Sequence, residues 1–213
     1  TTNNHGFLSG KRYEIARPRG AREFRIYFAG DSMTGSTTMN HQWVDLVEDI
    51  LNSSPELVAA VGGKTFRTYN AGVPGANFKY FWDYYQRAGK QFEPDLIVAN
   101  YIESDFPRAG KAGHEAHTDD EDLMITLAAP YVENFIRAQT VPTIFTLMPL
   151  YQDLFPKPAS YHLTERLKKA VPAIELYIMR DRLSWQGRQT EVRRWYNLPH
   201  DGHMSDLGGR QYA

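Results

Sequence analysis

The sequence contains no cysteine, and this absence excludes several kinds of chemistry. Disulfide bonds, thiolate nucleophiles and zinc or iron–sulfur sites with cysteine ligands all require that residue. Long apolar runs are also missing, since none approaches the roughly 18 residues that a membrane-spanning helix needs. The N-terminus lacks the basic start and apolar stretch of a secretory signal. We therefore predict a chain without disulfides, membrane spans or a visible signal peptide.

An excess of charge of one sign is absent as well. Lys and Arg number 24 and Asp and Glu number 25, which gives a formal net charge of −1. Proteins that bind nucleic-acid backbones usually carry a basic excess, so nucleic acid is not an expected partner. Hydrophobic residues at 42% and charged residues at 23% are typical of a globular protein. A chain of 213 residues is long enough to bury one substantial core.

Strand-like and helix-like segments alternate along the chain after a polar lead-in, residues 1–23, which we expect to lie on the surface. Apolar runs predict strands at 24–29, 65–71, 95–101 and 141–150, and periodic segments predict helices at 43–51, 77–92 and 121–140. Unbroken apolar strands favour a parallel sheet that is covered on both faces. We therefore predict a single α/β domain over 24–213, a three-layer α/β/α sandwich with a mostly parallel sheet. Between 151 and 198 the pattern predicts a helix at 163–171 and leaves 174–179 and 185–198 open.

Three features could indicate a ligand, but each has a simpler interpretation. The segment 61–65 resembles the end of a phosphate-binding loop, yet Val58 stands where that loop needs glycine. His114 and His117 could share a metal on a helix, although the acidic run beside them is typical of a solvated loop and a helix N-terminus. The aromatic residues of 77–92 could line a carbohydrate or lipid groove, but such a stripe more often packs in a core. We expect neither a cofactor nor a metal.

The two ends of the predicted domain hold the residues best suited to catalysis. The first strand leads directly into Gly30-Asp31-Ser32, and Asp201 and His203 lie near the C-terminus. Open α/β sheets bind ligands at the carboxyl ends of their strands, where Ser32 would stand, and a helix beginning there would offer free N–H groups to an anion. A serine hydroxyl needs an imidazole to accept its proton and a carboxylate to orient that imidazole. In a loop, Asp201 can fold back onto the ring of His203.

Together with the sequence between them, these motifs resemble the conserved blocks of the SGNH (GDSL-type) hydrolases, a family of serine esterases, lipases and carbohydrate acetylesterases. Gly30-Asp31-Ser32 matches the first block. Residues 70–75 resemble the N-x-G-x-x-G block after the second strand. Residues 201–208 resemble the terminal D-G-H-x-(S/N)-x-x-G segment. The resemblance covers most of the chain and implies the flavodoxin-like sandwich of these hydrolases.

The resemblance also implies a role for each matched residue. Ser32 would be the nucleophile, His203 the general base and then acid, and Asp201 the group that orients His203. The backbone N–H groups of Ser32 and Gly75 would form the oxyanion hole. Many members place the aspartate three residues before the histidine, where this chain has His200, but a carboxylate stabilises an imidazolium better than a neutral imidazole does.

The third block departs from the family pattern. After the third strand the family has G-x-N-D, whose Asn donates to the oxyanion, whereas this chain has Ile102 at the Gly and Ser104 at the Asn. Ser104 offers a shorter donor than an amide, and Asn100 is an alternative donor. Losing one oxyanion donor typically costs about 2.7–4 kcal/mol of transition-state stabilisation. Asp31 and Asp105 are more simply interpreted as structural, each accepting from nearby backbone N–H groups.

The sequence thus predicts a serine esterase that hydrolyses small acyl esters, acetyl foremost, through an acyl-enzyme. The resemblance implies a carbohydrate or small-molecule ester as substrate, and it alone favours an exported or cell-envelope location. One alternative is a polysaccharide O-acetyltransferase, which shares the acyl-enzyme. The other, suggested by Ser104, is a catalytically weak binding domain on the same fold. The oligomeric state is left open.

Overall fold

A computed structural model describes residues 2–15, 22–106, 120–137, 140–154, 161–183 and 189–213. Within these ranges five strands form one parallel sheet in the order β2-β1-β3-β4-β5. The strands are β1 (Glu23–Gly30), β2 (Thr65–Gly72), β3 (Leu96–Tyr101), β4 (Thr143–Leu147) and β5 (Leu176–Ile178). The four predicted strands and the parallel sheet are confirmed, and the open segment 174–179 supplies the fifth strand.

Eight α-helices occur in the described ranges. They are α1 (Trp43–Ser53), α2 (Pro55–Ala60), α3 (Phe78–Arg87), α4 (Glu121–Arg137), α5 (Tyr151–Leu154), α6 (His162–Ala170), α7 (Gln189–Val192) and α8 (Asp206–Tyr212). Asn77 starts α3 because its side chain accepts from the N–H of Tyr80 at 2.9 Å. No helix of the described part is both long and apolar enough to cross a membrane.

Helices cover both faces of the sheet, as the continuous apolar strands predicted. Alternate residues of β1 face opposite sides, so Tyr27 packs with α3, α4 and α6, whereas Phe28 packs with α1 and α8. The two hydrophobic clusters therefore lie on either side of the sheet. The α/β/α sandwich predicted from the sequence is confirmed.

The aromatic stripe of α3 belongs mainly to the core. Phe78, Phe81 and Tyr85 are each at most 3% exposed. Tyr80, on the outer face, stacks against Tyr84 at a centroid distance of 5.7 Å. The core interpretation of these aromatics therefore holds for the inward-facing residues.

The lead-in, which we expected to lie on the surface, also inserts side chains into the core. Phe7 and Tyr13 are at most 5% exposed and join the core on the α3 side of the sheet. The Tyr13 hydroxyl accepts from the backbone N–H of Asn70 at 2.6 Å, and the Asn70 side chain donates to the carbonyl of Leu8 at 2.9 Å. Single aromatic side chains attach this irregular segment to the core. Because the segment has no hydrophobic period, the sequence alone does not reveal this attachment.

Side chains occupy donors along the outer edge of β2, the first strand of the sheet. The N–H of Phe66 donates to Asn52 Oδ1 at 2.8 Å, and the N–H of Thr68 donates to Glu48 Oε2 at 2.7 Å. Tyr13 accepts from Asn70 two residues farther along. Groups satisfied in this way cannot pair with another strand, which protects the edge from aggregation.

Candidate active site

Ser32 lies in a tight turn at the carboxyl end of β1. The N–H groups of Thr34 and Gly35 donate to the carbonyl of Asp31 at 3.2 and 2.9 Å. The Asp31 side chain is fully buried and accepts from the N–H of Met33 at 2.8 Å, in agreement with a structural role. An α-helix does not follow directly, because α1 begins only at Trp43. Any N–H donors beside Ser32 therefore belong to a turn and not to a helix terminus.

The turn is held close to the end of β2 by a contact that only glycine permits. A Cβ built on Gly35 would lie 2.1 Å from the carbonyl oxygen of Gly72, and one on Gly72 would lie 2.1 Å from the nitrogen of Gly35. Neither distance leaves room for a side chain. The backbone approach fixes the Ser32 turn against the loop that begins at Val73, whose N–H donates to the carbonyl of Gly30 at 2.9 Å.

Ser32, His203 and Asp201 form one chain of hydrogen bonds. Ser32 Oγ lies 2.7 Å from His203 Nε2, and His203 Nδ1 lies 2.5 Å from Asp201 Oδ1. The same carboxylate oxygen accepts from the backbone N–H of His203 at 3.0 Å. The Ser32–His203 distance is within the range expected of a nucleophile and its base, and the contact with the group that orients the base is shorter still.

Electrostatics match this arrangement. The hydrogen bond from the His203 side chain, with a second from its backbone N–H, lowers the pKa of Asp201 below the usual carboxyl value. The carboxylate therefore stays ionised, as a partner for an imidazolium must. His200, by contrast, is exposed, and its backbone N–H donates to the carbonyl of Asn197 at 3.2 Å.

The candidate oxyanion donors differ in where they lie. Gly75 has a φ of +81° in the turn after β2, a conformation that favours glycine. Ser104 lies in a 3-10 turn, Glu103–Asp105, after β3 and lines the same pocket as Ser32. The structure does not bring Asn100 there: it is 1% exposed within β3, and its Oδ1 accepts from the Thr146 hydroxyl. Asn100 is thus an unsuitable donor because it lies inside the strand and not beyond its end.

A small pocket of about 200 Å³ opens beside Ser32. It lies at the carboxyl ends of β1, β3 and β4, and its lining consists of Ser32, Met33, Ile102, Ser104, Leu150, Gln152, Asp201, Gly202 and His203. The sequence analysis did not identify Leu150 or Gln152. Their only sequence signal is their position just after β4, where ligands of parallel sheets bind.

A larger hollow of about 420 Å³ lies elsewhere, between the lead-in and β2. Its cations are paired with carboxylates: Lys11 with Glu48 at 3.1 Å, and Arg67 with the same Glu48 at 3.3 Å. These charges satisfy one another, so we assign the hollow no role in catalysis.

Among the described residues, no group of three or more His, Cys, Asp and Glu side chains could hold a metal ion. His114 and His117, the weak metal candidates of the sequence, lie outside the described residues. The glycines of the segment 61–65 end α2, where the N–H of Gly63 donates to the carbonyl of Val58 at 2.9 Å. This segment is a helix terminus and not a phosphate-binding loop.

Comparison with solved structures places this geometry in a known fold. A two-domain esterase active on acetylated mannans superposes with a TM-score of 0.61 at 15% identity, over 89% of this chain and 46% of that protein. An acetyl xylan esterase gives 0.59 at 16% identity, over 88% and 94% of the two chains. The lipase/acylhydrolase from Enterococcus faecalis gives 0.55 at 14% identity, over 87% and 89%.

The chain has the SGNH-hydrolase fold. It spans about half the length of the mannan esterase and nearly all of the xylan esterase. A scan of protein-family models and a search of curated proteins gave no match. The likeness therefore concerns the SGNH fold, and what the chain does must be argued from its own site.

Proposed function

We propose that this protein is a serine esterase that removes small acyl groups, acetyl foremost, from carbohydrate esters. The observation that carries the proposal is the hydrogen-bonded chain from Ser32 through His203 to Asp201, which opens into a pocket at the edge of the sheet. A hydroxyl in contact with an imidazole that is itself held by a carboxylate is the arrangement that acyl transfer to serine requires.

The reaction follows from this geometry in two halves. Ser32 Oγ attacks the ester carbonyl while His203 Nε2 accepts its proton, and Asp201 stabilises the imidazolium. The N–H groups of Ser32 and Gly75, with the Ser104 hydroxyl, stabilise the oxyanion. Collapse of this intermediate breaks the ester bond, and the departing alcohol takes the proton from His203. Water, deprotonated by His203, then attacks the acyl-enzyme carbonyl. The bond to Ser32 Oγ breaks, Ser32 takes the proton back from His203, and the carboxylic acid is released.

The size of the pocket supports a short acyl group. Its volume of about 200 Å³ is below the roughly 300–1,000 Å³ of sites that enclose drug-sized ligands. Met33, Ile102 and Leu150 give it apolar walls that suit a methyl group. A long acyl chain would have to extend outside these walls.

Two features support a carbohydrate as the alcohol. Gln152 lines the pocket and is exposed, so its amide can bond to hydroxyl groups of a substrate that remains partly in solvent. The similar structures include esterases whose names give acetylated mannans and acetyl xylan as substrates.

Exposure of the site also favours hydrolysis over O-acetyl transfer, because 38% of the His203 side chain and 35% of the Asp201 side chain are open to water.

Ser32→Ala tests the proposal directly. We expect wild type to hydrolyse p-nitrophenyl acetate and to react with a fluorophosphonate probe, and Ser32→Ala to lose both, since removing the nucleophile of such a triad costs on the order of a millionfold in kcat. Ser53→Ala is the matched control, because Ser53 is exposed and its hydroxyl donates to the carbonyl of Ile50 within α1. A Ser32→Ala protein that keeps more than about 1% of wild-type turnover would refute the nucleophile. Product analysis with and without an oligosaccharide acceptor separates hydrolysis from transfer.

A further inference from the structure

Asn197 closes the loop that carries Asp201 and His203. Its backbone N–H donates to the carbonyl of His203 at 2.9 Å, and its carbonyl accepts from the N–H of Asp201 at 2.9 Å. The loop has neither helix nor strand between these residues, so the two bonds fix its ends. The proposed mechanism assigns Asn197 no role, and the sequence analysis did not identify it.

The side chain of Asn197 extends this connection to the other half of the site. Its Nδ2 lies 3.0 Å from the carbonyl of Met204, 3.3 Å from that of His203 and 3.1 Å from the Thr38 hydroxyl oxygen. Thr38 belongs to the segment between Ser32 and α1, and its hydroxyl donates to the carbonyl of Met204 at 3.3 Å. One amide therefore bonds to the loop of the base and to the segment of the nucleophile.

We propose that Asn197 is a positioning residue that sets the contact between His203 Nε2 and Ser32 Oγ; this inference rests on the esterase function proposed above. The two groups sit on different loops, and more than a third of the His203 side chain is exposed, so packing alone does not fix the imidazole. A displacement of about 1 Å at a reacting group can cost on the order of a hundredfold in rate. Asn197 bonds to the backbone of His203 itself and is therefore placed to prevent that displacement.

A second connection lies nearby but acts on a different part of the chain. The Asp206 carboxylate accepts from the backbone N–H and the side chain of Asn40, both at 2.8 Å. These bonds fix the start of α8 against the segment after Ser32. They do not reach the backbone of His203, so Asn197 is the residue to test.

The experiment compares Asn197→Ala with a matched variant, Asn52→Ala. Asn52 also bonds to backbone groups through its side chain, which donates to the carbonyl of Phe66 at 3.0 Å and accepts from its N–H at 2.8 Å, but it joins α1 to the edge of β2. We expect Asn197→Ala to lower kcat for p-nitrophenyl acetate about ten- to a hundredfold, with KM changed less than about threefold. Asn197→Asp should lower kcat by as much as Asn197→Ala does, because a carboxylate cannot donate to the two carbonyls. Asn52→Ala should keep wild-type kcat while its Tm falls.

The outcomes separate a positioning role from a structural one. Asn197→Ala with kcat within about twofold of wild type would overturn the proposal. An equal loss of kcat in Asn52→Ala would also overturn the proposal, since the loss of kcat would then result from general destabilisation of the fold. If wild type neither hydrolyses the ester nor reacts with the fluorophosphonate, the esterase proposal fails by itself. In that case the proton NMR signal of His203 Nδ1–H tests the positioning role. A signal seen in wild type and in Asn52→Ala but lost in Asn197→Ala supports the proposal. A signal seen in all three proteins overturns the proposal.

Discussion

Asp201 and His203 form their pair across a single glycine. The Asp201 oxygen that accepts from the imidazole also accepts from the backbone N–H of His203, so one carboxylate fixes both the ring and its main chain. Residues two apart cannot meet in this way on a helix face, and the chain needs a loop here. Because these bonds lower the pKa of Asp201, its carboxylate would remain charged when His203 takes up a proton in the proposed mechanism.

Ser104 is the candidate oxyanion donor whose effect can be tested most directly by substitution. It lines the pocket with Ser32, but a hydroxyl on one carbon reaches less far than the amide that the family pattern has there. We expect Ser104→Ala to cost less than about 2 kcal/mol of transition-state stabilisation, below the typical loss for an oxyanion donor. Ser104→Asn should raise kcat for a small acetyl ester. Both are measured with p-nitrophenyl acetate, the loss in Ser104→Ala from kcat/KM and the gain in Ser104→Asn from kcat.

Asn100→Ala serves as the comparison for Ser104. Because Asn100 bonds to Thr146 inside the sheet, its removal leaves a buried hydroxyl without that partner, which should lower the free energy of unfolding by about 1–3 kcal/mol. A large loss of kcat in Asn100→Ala, with none in Ser104→Ala, would contradict the placement of the third donor. A loss of a hundredfold or more in Ser104→Ala, with Ser104→Asn equally poor, would indicate a site adjusted to the hydroxyl.

At the level of secondary structure, the site is made where three neighbouring strands end. β1 delivers Ser32, β3 delivers Ile102 and Ser104, and β4 delivers Leu150. Parallel strands place all these ends on one edge, so residues far apart in sequence meet without any long connection between them. His203, the proposed base, lies on a separate element, the loop before α8.

Ile102 lines the pocket at the end of β3. It is 4% exposed and stands where the family pattern has glycine, so its side chain fills space that would otherwise be open. We expect Ile102→Ala to raise the ratio of kcat/KM for the butyrate ester to that for the acetate ester by at least about tenfold, since even one extra methylene in a fitted pocket is worth about 10- to 200-fold. The measurement uses p-nitrophenyl acetate and butyrate side by side.

The control for Ile102 is another buried isoleucine on the same side of the sheet. Ile26 is 5% exposed on β1 and does not line the pocket. Both Ile102→Ala and Ile26→Ala should lower the free energy of unfolding by about 2–5 kcal/mol, but Ile26→Ala should not change the butyrate-to-acetate ratio. An unchanged ratio in Ile102→Ala would mean that the acyl group lies elsewhere.

The sequence predicts elements better than it predicts the contacts between loops. Apolar runs mark β1 to β4 within a few residues, because burial on both faces leaves a composition that local inspection detects. Gln152 and Asn197 carry no such signal. Their roles depend on which loops the fold brings together, and a polar loop residue has no period that reveals its partner.

For the molecule as a whole, the lead-in is part of the folded unit. Phe7 and Tyr13 insert into the core on the α3 side, and the Tyr13 ring packs against Tyr69 of β2 at a centroid distance of 5.0 Å. Asn70 connects the lead-in to the active-site side of the sheet, since its side chain donates both to the carbonyl of Leu8 and to that of Thr34, which follows Ser32. The segment before β1 and the turn that carries Ser32 are thus both bonded to one buried residue, Asn70.

Tyr13→Phe tests whether this connection stabilises the whole fold. The change keeps the ring but removes the hydroxyl that accepts from the N–H of Asn70, and a buried N–H left without a partner costs about 1–3 kcal/mol. Burial raises the pKa of Tyr13 well above its usual value, so the hydroxyl is neutral at any ordinary pH and its loss changes no charge. We expect the free energy of unfolding in urea to fall by that amount with an unchanged m-value, because the whole domain still unfolds together.

The control is Tyr80→Phe, which removes a hydroxyl from a residue that is 37% exposed. Its free energy of unfolding should stay within about 0.5 kcal/mol of wild type. Equal stabilities for Tyr13→Phe and Tyr80→Phe would show that the lead-in is held by its aromatic packing alone.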